Sequence, residues 1–148
     1  MAERTPLVRV SGYLRDLPAG DTVAGASGGG WTITAAAGNY TILASESGTI
    51  FTNTGMGASR TYTLPASAGC TAGVTHYRIC VLDPAYTLNI DLPGSDTLVF
   101  FSERNLTSYI ASTGVPAYCA TATGYEYMDV IYMGGGVWHG QPIGNWAA

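Results

Sequence analysis

The fold is indicated most clearly by Tyr125-Glu-Tyr-Met-Asp-Val-Ile-Tyr-Met133, followed by Gly134-Gly-Gly136 and Val137-Trp-His139. Residues of the first stretch alternate between two faces: Tyr125, Tyr127, Asp129, Ile131 and Met133 on one, and Glu126, Met128, Val130 and Tyr132 on the other. Alternation with period two is typical of a β-strand, and glycines supply the positive φ that tight hairpins require. We therefore predict a β-hairpin that continues from residue 125 into the strand beginning at Val137.

Similar but shorter runs of β-branched and aromatic residues precede this hairpin. They cover residues 31–34, 40–43, 48–52, 61–65, 75–82, 87–91 and 97–101, with a weaker run at 106–111. Gly, Pro, Asn and Asp separate them, and no window has a convincing apolar period of 3.6 residues. This pattern predicts an all-β sandwich or barrel. We favour a jelly-roll-like β-sandwich, and an immunoglobulin-like topology remains the alternative.

The first thirty residues differ from the rest of the chain. Residues 5–17 alternate loosely, which suits one extended segment, and Leu17-Pro-Ala-Gly-Asp21 has the composition of a turn. Residues 25–30 consist only of Gly, Ala and Ser, which is typical of a flexible joint. We predict an extended N-terminal arm with a Gly-rich joint over residues 1–30, and a β-sandwich domain over residues 31–148.

The charge content excludes several classes of protein. Charged residues make up 11% of the 148 residues, all six basic residues are arginines, and the formal net charge is −4. A nucleic-acid-binding protein needs a basic stripe, so no nucleic-acid partner is expected. No run of about 18 apolar residues and no secretory leader are seen, so we expect no membrane contact and synthesis in a cytoplasm. The three cysteines lack metal-ligand spacing and are expected to remain thiols.

The candidate catalytic motifs in the sequence do not predict an enzyme. Gly25-Ala-Ser-Gly-Gly29 matches a nucleophile-elbow string, but no helix pattern follows it, as that motif requires. No local signature places His76 or His139 beside a serine and a carboxylate. We therefore expect no catalytic residues, no cofactor and no metal; His139 could supply a metal ligand only at an oligomer axis. Asp129, in the middle of a strand, is expected on an exposed or edge face.

Aromatic residues are abundant relative to charges, with ten Tyr, three Trp and three Phe. Tyrosine combines a large apolar surface with one polar tip, and charge depletion is characteristic of surfaces that neighbours cover. We expect some of these residues to contact other subunits. The candidates are Tyr125, Tyr127, Tyr132, Trp138 and Trp146.

Several short segments together resemble bacteriophage virion proteins. Near the N-terminus these are Val8-Arg-Val-Ser-Gly12 and Leu17-Pro-Ala-Gly-Asp-Thr22. In the body they are Gly48-Thr-Ile-Phe-Thr-Asn-Thr54, Thr61-Tyr-Thr-Leu-Pro65, Tyr86-Thr-Leu-Asn-Ile90, Gly94-Ser-Asp-Thr97, Val130-Ile-Tyr-Met-Gly-Gly-Gly-Val-Trp138 and Gly144-Asn-Trp-Ala147. The series is similar to those of capsid decoration (cement or head-fibre) proteins and of tail-fibre β-sandwich modules.

The resemblance implies a non-enzymatic structural protein of the virion. A sandwich with a thirty-residue arm looks like a decoration protein on the capsid exterior, which binds the major capsid protein through its arm and stabilises the assembled head. By analogy it would form a homotrimer, with a dimer as the alternative. The arm residues expected to bind the capsid are Leu7, Val8, Arg9, Val10, Leu14, Arg15 and Leu17.

The resemblance to tail fibres implies an alternative function. The chain would then be a tail-fibre or receptor-binding tip module that recognises carbohydrate on the host surface. This alternative predicts a solvent-facing aromatic patch around Trp138 and His139, with Asp or Asn nearby to bond sugar hydroxyls.

Overall fold

A computed structural model describes residues 7–10, 13–16, 31–102, 107–119 and 126–148. For residues 7–10 and 13–16 it describes the backbone only. The chain divides into two compact units, Met1–Gly30 and Trp31–Ala148. Its strands, in chain order, are β1 (Leu7–Val10), β2 (Tyr13–Asp16), β3 (Thr32–Ala35), β4 (Tyr40–Thr41), β5 (Thr49–Thr52), β6 (Arg60–Thr63), β7 (His76–Val81), β8 (Leu88–Asp91), β9 (Thr97–Ser102), β10 (Thr107–Ser112), β11 (Ala117–Cys119), β12 (Glu126–Gly134), β13 (Val137–Ile143) and β14 (Trp146–Ala147).

The first unit contains a two-stranded antiparallel sheet. Strands β1 and β2 pair in a register that places Leu7 opposite Asp16 and Val10 opposite Tyr13. Only two residues, Ser-Gly in the sequence, separate the strands, and short glycine-containing connections favour antiparallel pairing. The backbone therefore runs in two directions here, which differs from the single extended segment that the alternation of residues 5–17 suggested.

The second unit is a sandwich of two mixed sheets, which confirms the predicted all-β sandwich. The larger sheet has seven strands in the order β10-β9-β13-β12-β7-β5-β3, and the smaller has five in the order β14-β11-β8-β6-β4. The helical turns among the described residues are two 3₁₀ turns, Ala44–Glu46 and Ser67–Gly69. No helix in the described part of the chain is long and apolar enough to cross a bilayer.

Successive strands from β3 to β8 alternate between the two sheets. Strands β3, β5 and β7 are parallel neighbours in the larger sheet, and β4, β6 and β8 are parallel neighbours in the smaller one. The chain therefore winds around the core in three turns before β9. A jelly roll is built from antiparallel strands, so the jelly-roll topology favoured from the sequence is not confirmed.

The predicted hairpin is confirmed as β12 and β13. On β12 the face with Glu126, Met128, Val130 and Tyr132 is buried. Positive φ angles at Gly134, Gly135 and Gly136, of 99°, 61° and 78°, allow the reversal. The hairpin pairs with β7 on one side and, in parallel, with β9 on the other. Strand β12 therefore lies in the middle of the larger sheet.

The core between the sheets is aromatic and aliphatic. Phe51 of the larger sheet packs against Tyr62 of the smaller one, with ring centroids 6.4 Å apart. The largest fully buried side chains are Trp138, Trp146, Tyr62, Tyr77, Phe51, Phe100, Ile42, Leu64, Ile79, Leu88, Ile90 and Leu92. Each Å² of apolar surface removed from water stabilises the fold by about 25 cal/mol, so burial of these side chains is the main favourable contribution to folding. Cys70, Cys80 and Cys119 are free thiols.

Candidate binding face on the seven-stranded sheet

The outer face, meaning the side of the seven-stranded sheet that points away from the five-stranded sheet, carries polar and aromatic side chains on neighbouring strands. Tyr77 and Ile79 of β7 are buried in the core, so the intervening Arg78 points outward. Asp129 on β12 is the pairing partner of Arg78, and Gln141 on β13 is the pairing partner of Asp129. An adjacent row contains His76, Ile131 and His139.

An ion pair lies at the centre of this face. Arg78 donates from Nε to Asp129 Oδ1 and from Nη2 to Oδ2, both at 2.6 Å. The two side chains are 33% and 34% exposed. These hydrogen bonds to Asp129 raise the pKa of Arg78 above its usual range. A bidentate pair of this kind fixes the orientation of both side chains, so Asp129 presents its carboxylate in a defined position.

Two aromatic rings flank the guanidinium group. Its central carbon lies 4.3 Å from the ring centroid of Tyr127 and 5.5 Å from that of Trp31. Both distances are within the range of cation–π attraction, about 6 Å. Arg78 therefore brings the rings of Trp31 and Tyr127 close to the ion pair.

The Trp31 ring also contacts His76, with centroids 5.3 Å apart in an edge-to-face arrangement. His76 Nδ1 lies 2.7 Å from the carbonyl oxygen of Val74, and its backbone N–H donates to Ser47 Oγ at 3.1 Å. Because a carbonyl oxygen can only accept, we assign the proton to Nδ1, which leaves Nε2 as an acceptor in the neutral ring.

Two concavities adjoin the ion pair. The first, about 350 Å³, is lined by Phe101, Tyr127, Asp129, His139, Gly140, Gln141, Pro142 and Ile143. The second, about 260 Å³, is lined by Trp31, His76, Tyr77, Asp129, Val130, Ile131, His139 and Gln141. Asp129, His139 and Gln141 belong to both linings, and we call these three residues the polar ridge. The face thus offers two small depressions separated by hydrogen-bonding side chains.

Further apolar side chains are exposed on this sheet. Ile33, Phe101, Ile110 and Ile143 are each between 46% and 70% exposed and belong to the same sheet. Apolar groups concentrated on one face are typical of interaction sites. Among the described residues, no group of three His, Cys, Asp or Glu side chains is arranged to hold a metal ion.

Three of the predicted subunit-contact residues lie in the core of the chain itself. Trp138 and Trp146 are fully buried, and Tyr132 is 7% exposed. The expectation that they face a neighbouring subunit, or that Trp138 forms a solvent-facing patch, is therefore corrected. In β13 the alternation buries Trp138 and exposes Val137 and His139.

The remaining residues singled out from the sequence lie on the outer face, in the first unit or outside the described residues. Tyr127 lies on the outer face beside Arg78. His139 is exposed. Tyr125 and Leu17 lie outside the described residues. Leu7, Val8, Arg9 and Val10 belong to β1, and Leu14 and Arg15 to β2. The side chain of Asp129 is about one-third exposed, but it lies on a central strand and not at an edge.

The residues that sequence reasoning missed are Arg78, Trp31 and Gln141. A signal existed for Arg78, because alternation over His76–Val81 places the arginine on the face opposite Tyr77 and Ile79. Its pairing with Asp129, 51 residues later, has no local signature.

Comparison of the chain with protein families, curated proteins and solved structures found no match.

Proposed function

We propose that this protein is a non-enzymatic bacteriophage capsid decoration protein, which binds the outer surface of the assembled head through residues 1–30 and stabilises it. The observation that carries this proposal is the division of the chain into a small N-terminal unit and a sandwich with its own core. A sandwich with its own core supports a separate role in attachment for residues 1–30.

Attachment would use the arm residues predicted from the sequence. Leu7, Val8, Val10, Leu14 and Leu17 would fill apolar grooves between capsid subunits, while Arg9 and Arg15 would form bidentate pairs with capsid carboxylates. A protein that binds the assembled shell and not its separated subunits stabilises the shell by mass action.

The low charge of the sandwich supports association with further copies of the chain, for which a homotrimer is the preferred state. Its described residues include eight charged side chains, namely Glu46, Arg60, Arg78, Asp83, Asp91, Asp96, Glu126 and Asp129. Asp96 and Glu126 are buried, and Arg78 and Asp129 neutralise each other. Depletion of charge is characteristic of the centres of protein interfaces.

Deletion of residues 2–20 tests this proposal. We expect the truncated protein to keep its β-sheet circular dichroism and oligomeric state but to lose co-sedimentation with purified capsids. The full chain carrying Arg9→Gln and Arg15→Gln should bind more weakly, whereas Arg60→Gln, which removes an arginine of the sandwich, should bind as the unaltered protein does. Unchanged occupancy on capsids after the deletion would overturn the proposal.

A second candidate function is that of a tail-fibre or receptor-binding tip module for host carbohydrate. The observation that favours it is the pair of concavities on the outer face, which bring aromatic rings beside Asp129, His139 and Gln141. Gold-labelled antibody against this protein, imaged on intact virions by negative stain, separates the two candidates. Label on the head supports decoration, and label at the tail supports the receptor-binding module.

A further inference from the structure

We infer that the outer face binds a neutral oligosaccharide across the polar ridge. This inference deepens the second candidate function and rests on its carbohydrate recognition, but it is independent of whether residues 1–30 attach to a capsid. The observation behind it is that two adjoining concavities share Asp129, His139 and Gln141 and that each is also lined by aromatic rings.

The polar ridge has the hydrogen-bonding capacity that hydroxyl groups need. A carboxylate accepts hydrogen bonds, and a glutamine amide both donates and accepts them. A neutral imidazole donates from one nitrogen and accepts at the other. A sugar hydroxyl likewise donates one hydrogen bond and accepts others. His139 and Gln141 are exposed, so both can reach a ligand.

The ion pair prepares this site in advance. Because Arg78 holds both carboxylate oxygens of Asp129 at 2.6 Å, the carboxylate does not need to be ordered when a ligand binds. Remaining lone pairs on the two oxygens can still accept hydrogen bonds. Groups that are ordered before binding lose less conformational entropy on binding.

Aromatic surface is present on both sides of the ridge. Trp31, 41% exposed, lines the smaller concavity, and Tyr127 and Phe101 line the larger one. Pyranose rings have apolar C–H faces and hydroxyl edges. They therefore match a site where rings and hydrogen-bonding groups alternate.

Charge argues against ionic ligands. Among the described residues, Asp129 is the one Asp, Glu, Lys or Arg in the two linings, and Arg78 neutralises it. A phosphate or carboxylate ligand would find no uncommitted arginine or lysine among those lining residues. An organic cation would compete with the guanidinium group that already lies beside the Trp31 and Tyr127 rings.

The volumes suggest a ligand of at least two sugar rings. The concavities of about 350 and 260 Å³ lie just above and just below the lower end of the range for small-molecule sites, about 300–1,000 Å³. Each would hold a group of about one ring, and the shared ridge would contact the linkage between them.

The test uses the full chain and two probes: free neutral di- to tetrasaccharides, and an array of immobilised neutral bacterial polysaccharides. Trp31 is exposed, whereas Trp138 and Trp146 are fully buried, so acrylamide quenches mainly the fluorescence of Trp31. We expect at least one neutral saccharide to bind and to protect Trp31 from quenching. Binding of free oligosaccharides would show that short units suffice, and binding of the array alone would assign the source to a cell-surface polymer.

Variants locate the binding. Trp31→Ala and Gln141→Ala should each weaken it about tenfold, the effect of losing one good contact. Tyr118→Ala should have no effect, because Tyr118 is an exposed aromatic residue on the five-stranded sheet. Gln141 is exposed, so its replacement is compatible with folding, which circular dichroism would verify.

Two results would overturn the inference: no binding of any neutral saccharide with either probe, or binding that Trp31→Ala and Gln141→Ala leave unchanged. The same variants should co-sediment with capsids like the unaltered protein. Failure of saccharide binding is therefore distinguishable from failure of capsid attachment.

Discussion

The hydroxyl group of Tyr62 lies 2.8 Å from the carbonyl oxygen of Thr52, so it connects the five-stranded sheet to the end of β5 in the seven-stranded sheet. The same hydroxyl lies 2.6 Å from the carbonyl oxygen of Ala36. Tyr62 is fully buried. Burial raises the pKa of Tyr62 to about 12 from its usual 10.0, because the charged form would be poorly solvated.

This pKa predicts a loss of stability in alkali. The folded state holds the Tyr62 proton more tightly than the unfolded state does, so this contribution is fully present below pH about 10 and is lost as pH rises through about 12. Urea unfolding between these pH values should show the decline. Tyr62→Phe should lower the free energy of unfolding at pH 8 by about 1–2 kcal/mol and flatten the alkaline decline.

Tyr118→Phe, at an exposed position, is the control for Tyr62→Phe. Some decline should persist in Tyr62→Phe, because burial also raises the pKa values of Tyr77 and Cys119. Identical pH profiles for Tyr62→Phe and the unaltered protein would contradict the prediction.

Asn53 should be among the most sensitive polar positions. Asn53 is fully buried. Its side-chain Nδ2 donates a hydrogen bond to the carbonyl oxygen of Asp83 at 2.8 Å. Its Oδ1 accepts hydrogen bonds from the backbone N–H groups of Leu82 and Asp83 at 2.7 and 2.8 Å. Asn53→Ala would leave these backbone groups without their partner, so we expect a loss of about 2–4 kcal/mol in urea unfolding.

Asn39→Ala is the matched control for Asn53→Ala. It removes one exposed hydrogen bond to the N–H of Thr61, so its expected cost is about 0.5–1 kcal/mol. Equal losses for the two variants would show that the buried bonds of Asn53 contribute little.

Gly140 is expected to tolerate no side chain. A Cβ atom there would lie 3.0 Å from Met128 Sδ, 3.0 Å from Phe100 Cβ and 3.2 Å from Leu98 Cδ1. Gly140→Ala should therefore lower the thermal midpoint, in line with the typical overpacking cost of about 1–3 kcal/mol. At Gly38 nothing lies within 4 Å of an added Cβ, so Gly38→Ala should change stability by less than about 0.5 kcal/mol. A neutral Gly140→Ala would mean that the core repacks around the methyl group.

The Arg78–Asp129 pair should contribute modestly to stability. A double-mutant cycle with Arg78→Met and Asp129→Asn is expected to give a coupling energy of about 1 kcal/mol, because both partners are one-third exposed and water screens them. In about 1 M NaCl, where the screening length is about 3 Å, the coupling should fall. A coupling near zero at low salt would indicate that the bidentate geometry adds no stability.

The sandwich could be predicted from the sequence, but its topology could not. Alternation over residues 125–133 and the glycines at 134–136 identify the hairpin locally, because both signals lie within the segment that forms it. The parallel pairing of β3, β5 and β7 depends on contacts between residues far apart in the chain. Strands of two residues, such as Trp146–Ala147, are too short to show any periodicity.

The candidate site could be predicted only in part. Asp129 was notable as a charge in the middle of a strand, and the structure pairs it with Arg78. Trp138 was predicted to contact other subunits from the abundance of aromatic residues relative to charges. Because β12 and β13 have apolar residues on both faces, alternation alone does not indicate which face is buried. Packing against the neighbouring strands decides which face is buried. On the outer face, Trp31 and not Trp138 lies beside Arg78.

The insertion of the β12–β13 hairpin between β7 and β9 has a consequence for biosynthesis. When β7 and β9 leave the ribosome, the two strands that will separate them have not been made. Each then exposes an unpaired backbone edge and a strip of apolar residues until residues 126–143 emerge. Completion of the larger sheet is therefore a late event, and a nascent chain that stalls before the hairpin would be a target for chaperones or for aggregation.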